Sequence, residues 1–310
     1  MTLQQLEYIV ALDTHRHFVN AAESCFITQP TLTLQIKKLE TEMGTQIFDR
    51  SKHPIEPTKT GTTVIESARQ ILRGVNGLKD FVNTEKDDLG GTFRIGVIPT
   101  VAPYLMPRFL KNFTDANPKV NLIIREIESE QIIQDIKNDL LDIGILATPL
   151  EEGNLREMPL YNEPFLIYTA EQHPLYAKQE VKPADLPVKG LWLLNQGHCL
   201  RNQVLNICSQ RQNAQNNNLS YESGSVETLK NLVKNHMGYT LVPELSVSDS
   251  LKTDKRIRRF EAPQPTREIS LVVHQSFNKE ALLEHFRTAI LSNIPEHFSK
   301  AKTYNRIKWR

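Results

Sequence analysis

Two of the three cysteines in this 310-residue sequence, Cys199 and Cys208, lie nine positions apart in "LLNQGHCLRNQVLNICSQ". Leu200, Val204, Leu205 and Ile207 recur there at helical spacing, which places Cys199 in the first turn of a helix following the apolar run "GLWLL". Free N–H groups at a helix start, the cation Arg201 two residues on and the adjacent His198 would all favour the thiolate, the reactive form of cysteine. Cys208 has no such neighbours and reads as a half-buried thiol with a resolving role at most. A helix holds residues nine apart roughly 13 Å from one another on nearly opposite faces, whereas a disulfide needs Cα atoms within about 7 Å. Joining the two sulfurs therefore requires the segment to remodel. Cysteines at arbitrary spacing are commonly packing residues, and a metal site of His198, Cys199 and Cys208 lacks a close ligand pair. Local chemistry leaves packing and reactivity both open; neither a metal nor a cofactor is expected.

The elements that position these thiols belong to a chain longer than one hydrophobic core organises, so two or three domains are expected. Hydrophobic residues at 39% and charged residues at 24% describe a globular protein and exclude a disordered one. The start "MTLQQLEYIVALDTHRHF" has no signal-peptide pattern, and no apolar run reaches the ~18 residues of a membrane span. A cytoplasmic protein without membrane contact is expected, and an odd cysteine count argues against a secreted disulfide framework. The net charge of +1 leaves nucleic acid open as a partner. With six Lys and Arg against seven Asp and Glu in residues 1–60, any basic face there is local.

Leu3, Leu6, Ile9, Val10 and Leu12 predict a first helix ending near "DTHRH", and "FVNAAESC" predicts a short second one. In "ITQPTLTLQIKKLETEMG" a third helix is capped by Thr28, carries Pro30 in its first turn and stops at Gly44. Its apolar stripe is Leu32, Ile36, Leu39 and Met43, leaving Gln29, Thr31, Thr33, Gln35, Lys37 and Lys38 on the open face. "QIFDRSKHPIEPTKTG" then reads as two short extended segments around a turn. Periodicity alone fits an unrelated three-helix bundle; the following hairpin, with Arg50, Lys52 and Lys59, instead favours a helix-turn-helix with a wing. Over "AAESCFITQPTLTLQIKKLETEMGTQIFDRSKHPIEPTKTG" the chain resembles the winged helix-turn-helix of LysR-type transcriptional regulators. The shared elements are Ala-Ala, Thr-Gln-Pro, Gln-Ile, Leu-Glu, Phe-x-Arg and Thr-x-x-Gly. The resemblance implies promoter double-stranded DNA and RNA polymerase as partners, with Gln29, Pro30, Thr31, Thr33, Lys37 and Lys38 at the DNA and Arg50 and Lys52 in the wing. Leu34 departs from the polar, basic or glycine residue many members carry.

Val64, Ala68, Ile71, Val75, Leu78 and Val82 then alternate four and three apart, a heptad seam that predicts a helix pairing with a second copy. "EKDDLGG" closes it. Beyond Thr92 short apolar runs alternate with helical patterns, predicting an α/β domain of largely parallel strands. Thr100, after the strand "RIGVI", is placed to cap a helix or to help hold a small polar ligand. Ser225 caps a helix with Val226, Leu229, Leu232 and Val233 turned inward. These stretches resemble the effector domain of the same family, similar to type 2 periplasmic binding proteins. The implied layout is a DNA-binding domain at 1–60, a linker helix at 61–90 and an effector domain at 91–298. Its lobe I covers about 91–164 and 268–298, its lobe II about 165–267. Residues 299–310, "SKAKTYNRIKWR" from Ser299, read as a solvated basic tail.

"GHCLR" with a second cysteine nine residues after the first, and "IPTVAPYLMP", resemble a peroxide-sensing subgroup of this family. That resemblance implies a peroxidatic Cys199 and a resolving Cys208. It places Thr100, Ser129, His198, Arg201 and Arg267 around the oxidant, hydrogen peroxide. It further implies a dimer of dimers, reset by dithiols such as glutaredoxin or thioredoxin, acting as a regulator rather than an enzyme. Asn202 departs from the subgroup's acidic residue. Two alternatives stand beside it: a small organic ligand between the lobes near Thr100 with incidental cysteines, and a thiol peroxidase.

Overall fold

The computed structural model describes residues 1–84, 90–187, 189–208, 221–300 and 304–310. Two units divide at Asp88 and Leu89, two residues before the expected linker boundary. The first unit holds α1 (Leu3–His15), α2 (Phe18–Ser24), α3 (Gln29–Met43), a hairpin of β1 (Phe48–Asp49) and β2 (Glu56–Pro57), and α4 (Lys59–Thr84). Thr2 and Gln5 form a reciprocal capping box at α1. Thr28 occupies the cap of α3, yet its hydroxyl pairs with the Thr31 hydroxyl at 2.9 Å and no cap bond forms. Gly44 ends α3 at φ +65°, where other side chains are strained.

Polar family elements turn out to be braces. Glu40 of α3 accepts hydrogen bonds from the Ile47 and Phe48 N–H groups at 2.9 and 3.2 Å, and from Arg50 at 2.8 Å. Arg50, expected at DNA, is thus engaged inside its own domain, because a buried carboxylate without a cation would be costly. Thr58 accepts from the Gly61 N–H at 2.9 Å, and a Cβ at Gly61 would lie 1.9 Å from the Ile47 carbonyl oxygen. The Thr-x-x-Gly spacing therefore combines a helix cap with a close backbone approach.

The first turns of α4 pack into this domain: Ile65 and Ala68 are buried in its core and Val64 leans against it. Buried Arg69 pairs with Asp13 at 3.0 Å. Ala68 is therefore spent on the core rather than on a seam, whereas Ile71 and Leu78 are 44% and 68% exposed and Val75 is half-buried. The Val82 side chain lies outside the described residues.

The second unit runs β3 (Gly91–Val97), α5 (Ala102–Ala116), β4 (Val120–Glu126), α6 (Ser129–Lys137), β5 (Ile143–Thr148), β6 (Leu155–Thr169), β7 (Glu180–Val181), α7 (Cys199–Ile207), α8 (Val226–Lys234), β8 (Tyr239–Pro243), β9 (Ile257–Phe260), β10 (Gln264–His274), α9 (Glu280–Leu291), α10 (His297–Lys300) and β11 (Tyr304–Arg306). Strand order is β4-β3-β5-β10-β6-β9-β7, with β8 on β6 and β11 on β10. Only β3 with β4, β3 with β5, β7 with β9 and β10 with β11 are parallel; β5–β10, β10–β6, β6–β8 and β6–β9 are antiparallel. The expectation of largely parallel strands is thus corrected to a mixed sheet, since β6 and β10 cross between two lobes instead of following a helix. Leu155–Pro164 of β6 pairs with β10, and Phe165–Thr169 pairs with β8. Tyr161 belongs to the first hydrophobic cluster and Phe165 to the second, so the lobes part between these residues. "GLWLL" is no strand: Leu191 makes one isolated bridge to Tyr239, and burial alone accounts for its apolar character.

The last residues also differ from expectation. Tyr304–Arg306 adds a strand to β10, and Ile307 and Trp309 are buried. Backbone pairing and two apolar anchors outweigh the solvation of the three basic side chains between 304 and 310, which carry ion pairs to Glu268, Glu151, Glu130 and Glu152.

Glu40→Ala strands two N–H groups and Arg50, so it should lower the stability of the first unit by about 2 kcal/mol. Urea unfolding of the full chain followed by exchange protection in residues 1–84 reads this directly; an unchanged midpoint there would refute the brace.

Candidate functional site

Cys199 is the first residue of α7 and is 2% exposed. It packs into the lobe I core, whereas Leu200, Val204, Ile207 and Cys208 pack into the lobe II core. One helix thus holds its terminal thiols in two different cores, and neither is bonded. Its approach depends on Gly197, at φ +101°, where an added Cβ would lie 2.1 Å from a Glu128 carboxylate oxygen.

Opposite Cys199 stands a buried polar network. Arg267 of β10, 1% exposed, pairs with Glu163 of β6 at 2.7 Å. The same guanidinium donates to the Thr100 hydroxyl at 2.8 Å and the Thr100 carbonyl at 3.0 Å. Thr100 is buried and caps no helix; its hydroxyl accepts from Arg267, which leaves its own O–H to donate. Ser129, at the start of α6, is buried, and its hydroxyl has no hydrogen-bond partner of full geometry among the described residues.

Electrostatics follow from burial. Loss of water pushes the Cys199 thiol above its usual range; the Ser129 hydroxyl, the Arg267 charge and backbone N–H groups at the helix start oppose this without cancelling it. The expectation of a thiol lowered by Arg201 and His198 is corrected. Arg201 is committed to the Leu194 carbonyl at 2.7 Å, and Arg267 is the cation acting on the sulfur. Burial lowers His198, which stays neutral at pH 7 despite Glu128 at 3.7 Å. Burial also pushes the Cys208 thiol up to about 11. Glu163 is pushed up by burial and held down by Arg267 and the Leu245 N–H.

Of the expected pocket residues, Ser129 and Arg267 act on Cys199, Thr100 is bound to Arg267, His198 adjoins the cysteine in sequence, and Arg201 serves the chain path instead. Sequence reasoning missed Glu163 and Glu128. The signal for Glu163 was a lone carboxylate in the apolar run "YNEPFLIY", which a buried cation must answer. A separate cleft of about 550 Å³ lies between α5, α8 and the turn Glu244–Ser250; Thr100, Ser129, Cys199 and Arg267 do not line it. Among the described residues no His, Cys, Asp and Glu group is placed to hold a metal, and no helix is long and apolar enough to cross a membrane.

In the first unit Gln29, Pro30, Thr31, Lys37 and Lys38 are exposed on α3 and Thr33 is half-buried. Leu34 interrupts this face, 64% exposed. Lys52 is exposed beside Glu56 at 3.7 Å.

Two outcomes test this geometry. Arg267→Ala leaves Glu163 buried and unpaired and should cost about 3–5 kcal/mol, read as a lowered melting midpoint; a neutral effect would show that water reaches the pair. Because the Cys199 thiol titrates above its usual range, its thiolate fraction climbs with pH, so its oxidation rate should rise about tenfold from pH 7 to 8. Stopped-flow oxidation of a Cys25→Ser, Cys208→Ser variant measures this; a flat profile would mean an already ionised thiol.

Known proteins share both units. Residues 3–62 match the bacterial regulatory helix-turn-helix proteins of the lysR family, and residues 86–294 match the LysR substrate binding domain. The DNA-binding transcriptional dual regulator OxyR of Escherichia coli strain K12 is 35% identical over 301 residues, covering 97% of this chain and 98% of that one. A hydrogen peroxide-inducible genes activator of Haemophilus influenzae is 35% identical over 274 residues, 88% of this chain and 90% of that one. Among solved structures, full-length OxyR C199D from Pseudomonas aeruginosa superposes with a TM-score of 0.78 at 31% identity, covering 95% of this chain and 99% of that one. With a helix-turn-helix unit, a two-lobed effector unit and these matches along nearly its whole length, the chain belongs to the LysR family of bacterial transcription regulators.

Proposed function

We propose that this regulator senses hydrogen peroxide through Cys199 and passes the signal to promoter DNA. The observation that carries this reading is a buried thiol beside the buried Ser129 hydroxyl and a fixed cation, Arg267, with a second thiol at the other end of the same helix. The similarity to hydrogen peroxide-inducible activators supports the oxidant.

The Cys199 sulfur attacks one peroxide oxygen, the O–O bond breaks, and the leaving hydroxide takes the proton that the thiol gave up, forming water and a sulfenic acid. Thr100 and Ser129 hold the peroxide oxygens, and Arg267 stabilises charge on the departing one. Burial keeps the resting thiol protonated, so the thiolate that attacks is a minor form at neutral pH. The Cys208 sulfur then displaces the sulfenic oxygen, which leaves as a second water once protonated. Two thiols lose two electrons and one peroxide becomes two waters. Cellular dithiols such as glutaredoxin or thioredoxin return the pair to thiols by exchange.

The rebuilt α7 changes how effector units pack in a dimer of dimers, and so how the helix-turn-helix units sit on DNA. Ile71, Val75 and Leu78 on the outer half of α4, with Val82, form the seam between two copies. Gln29, Thr31, Thr33, Lys37 and Lys38 face the major groove and its phosphates, with Pro30 opening the helix and Lys52 at the wing. The regulator works in the cytoplasm with RNA polymerase and turns over no substrate.

A second reading, an organic ligand in the 550 Å³ cleft, rests on that cleft's polar lining of Arg108, Glu227, Lys230 and Ser248. Footprinting on genomic DNA with reduced and peroxide-treated protein decides between them. Wild type should shift its footprint and yield linked Cys199 and Cys208 peptides, and Cys199→Ser should do neither. A full response from Cys199→Ser would remove the peroxide reading and leave the cleft. Ser129→Ala should slow sulfenic acid formation roughly 10–100-fold with an unchanged melting midpoint; equal rates would exclude Ser129 from the pocket chemistry.

A further inference from the structure

The last seven residues lie along the helix that carries the thiols. Side-chain amides of α7 donate to three successive carbonyls of this strap: Gln203 to Ile307 at 3.0 Å, Asn206 to Lys308 at 2.8 Å and Asn202 to Trp309 at 3.1 Å. Asn206 lies four positions after Asn202 and three after Gln203, the spacings that make helix side chains neighbours. The strap is anchored at both ends. Its start pairs with β10 in parallel register, continued by the Ile307 N–H donating to the Thr266 carbonyl at 2.8 Å. Toward its end the Trp309 indole donates to the Ala147 carbonyl at 3.1 Å, and Arg310 pairs with Glu130 and Glu152, each at 2.8 Å. Glu130 directly follows Ser129 on α6, so one peptide ties the helix of the thiols to the helix of the facing hydroxyl. Ile307 sits in the lobe II core and Trp309, 5% exposed, in the lobe I core.

We propose that residues 304–310 are a latch on α7, and that Asn202, Gln203 and Asn206 are positioning residues that hold the helix closed until the disulfide forms. The proposal rests on the peroxide-sensing reading above. Cys199 and Cys208 are separated along α7 by roughly 13 Å of helical rise, and their Cα atoms must come within about 7 Å to bond. The residues that must leave helical geometry to permit this are 199–208, the stretch whose amides grip the strap. Asn202, Gln203 and Asn206 cannot keep three carbonyls of one extended segment once their own backbone leaves the helix. Disulfide closure therefore breaks the three bonds and frees the strap, while reaction with peroxide, which needs only Cys199 in its pocket, leaves the latch shut. The latch thus governs the second chemical step and not the first. It also accounts for the amide at Asn202: a carboxylate there would face the Trp309 carbonyl oxygen instead of donating to it.

The test follows strap and chemistry together in the full chain. Reduced protein should resist trypsin at Arg306 and Lys308, and protein with a verified Cys199–Cys208 disulfide should be cut there at least tenfold faster. In Trp192→Phe, which leaves Trp309 as the sole tryptophan of two, emission should shift to the red with the kinetics of disulfide closure rather than of sulfenic acid formation. A net hydrogen bond is worth a factor of about five at room temperature, so Asn202→Ala with Asn206→Ala should close the disulfide roughly 25-fold faster while forming sulfenic acid at the wild-type rate. Asn206→Gln, which keeps an amide donor, should restore most of the delay of the Asn206→Ala single variant. A verified disulfide with a strap still protected overturns the latch alone, as does wild-type closure in the double variant. Failure of wild type to form any disulfide overturns the sensing reading and the latch with it.

Discussion

The ion pair between Arg267 and Glu163 is the interaction on which the rest of the effector unit depends. Each partner sits on one of the two long strands that cross between the lobes, and both are essentially sealed from water. Isolated, either charge would be expensive to bury; together, with the Leu245 N–H and both oxygens of Thr100 completing their hydrogen bonds, they are satisfied. That satisfaction has a geometric consequence. It fixes the loop after β3, aligns β6 against β10 where the lobes part, and keeps one positive charge close enough to act on the Cys199 thiol.

Around this fixed point the protein keeps two thiols apart. α7 bridges the two hydrophobic cores, with Cys199 belonging to one and Cys208 to the other. Burial holds both thiols protonated, so neither reacts by mere presence. The same packing that stabilises the reduced form therefore stores the change that oxidation would release, since bonding the sulfurs must remove one of them from its core. A helix held mostly by packing and by amides to a neighbouring strap is a reasonable element to exchange, because its polar contacts can be traded for others of similar worth.

Much of the first unit was legible in the sequence. The extent of α1 follows from its apolar spacing and the end of α3 from Gly44, and Leu32, Ile36 and Leu39 of the expected stripe are buried, whereas Met43 is exposed and Thr28 makes no cap bond. Roles within the same motif were less so. Arg50 is a brace for Glu40 because the fold brings positions ten apart into contact, and Ala68 fills a core because α4 leans on α1, facts that heptad spacing does not carry. In the effector unit the alternation of strands and helices was visible, yet strand direction was not, since period-two patterns are the same for parallel and antiparallel neighbours.

The sequence by itself determined which residues are capable of chemistry: Cys199 at a helix start, Cys208 nine residues on, Thr100 after a strand, and the helix that separates the thiols. These are matters of residue type and short spacing, which local geometry fixes. Tertiary structure decided which cation acts on the thiol, choosing Arg267 over the nearer Arg201. It also reversed the direction of the thiol's shift, because burial outweighs every neighbour. It decided the fate of the final residues too. Lys308 and Arg310 look like a solvated tail in a string of letters, and they become a strap because carboxylates from residues 130, 151 and 152 wait at the places where the fold delivers them. Charge pairing and desolvation depend on distances across the fold, and those distances exist only once the chain has folded.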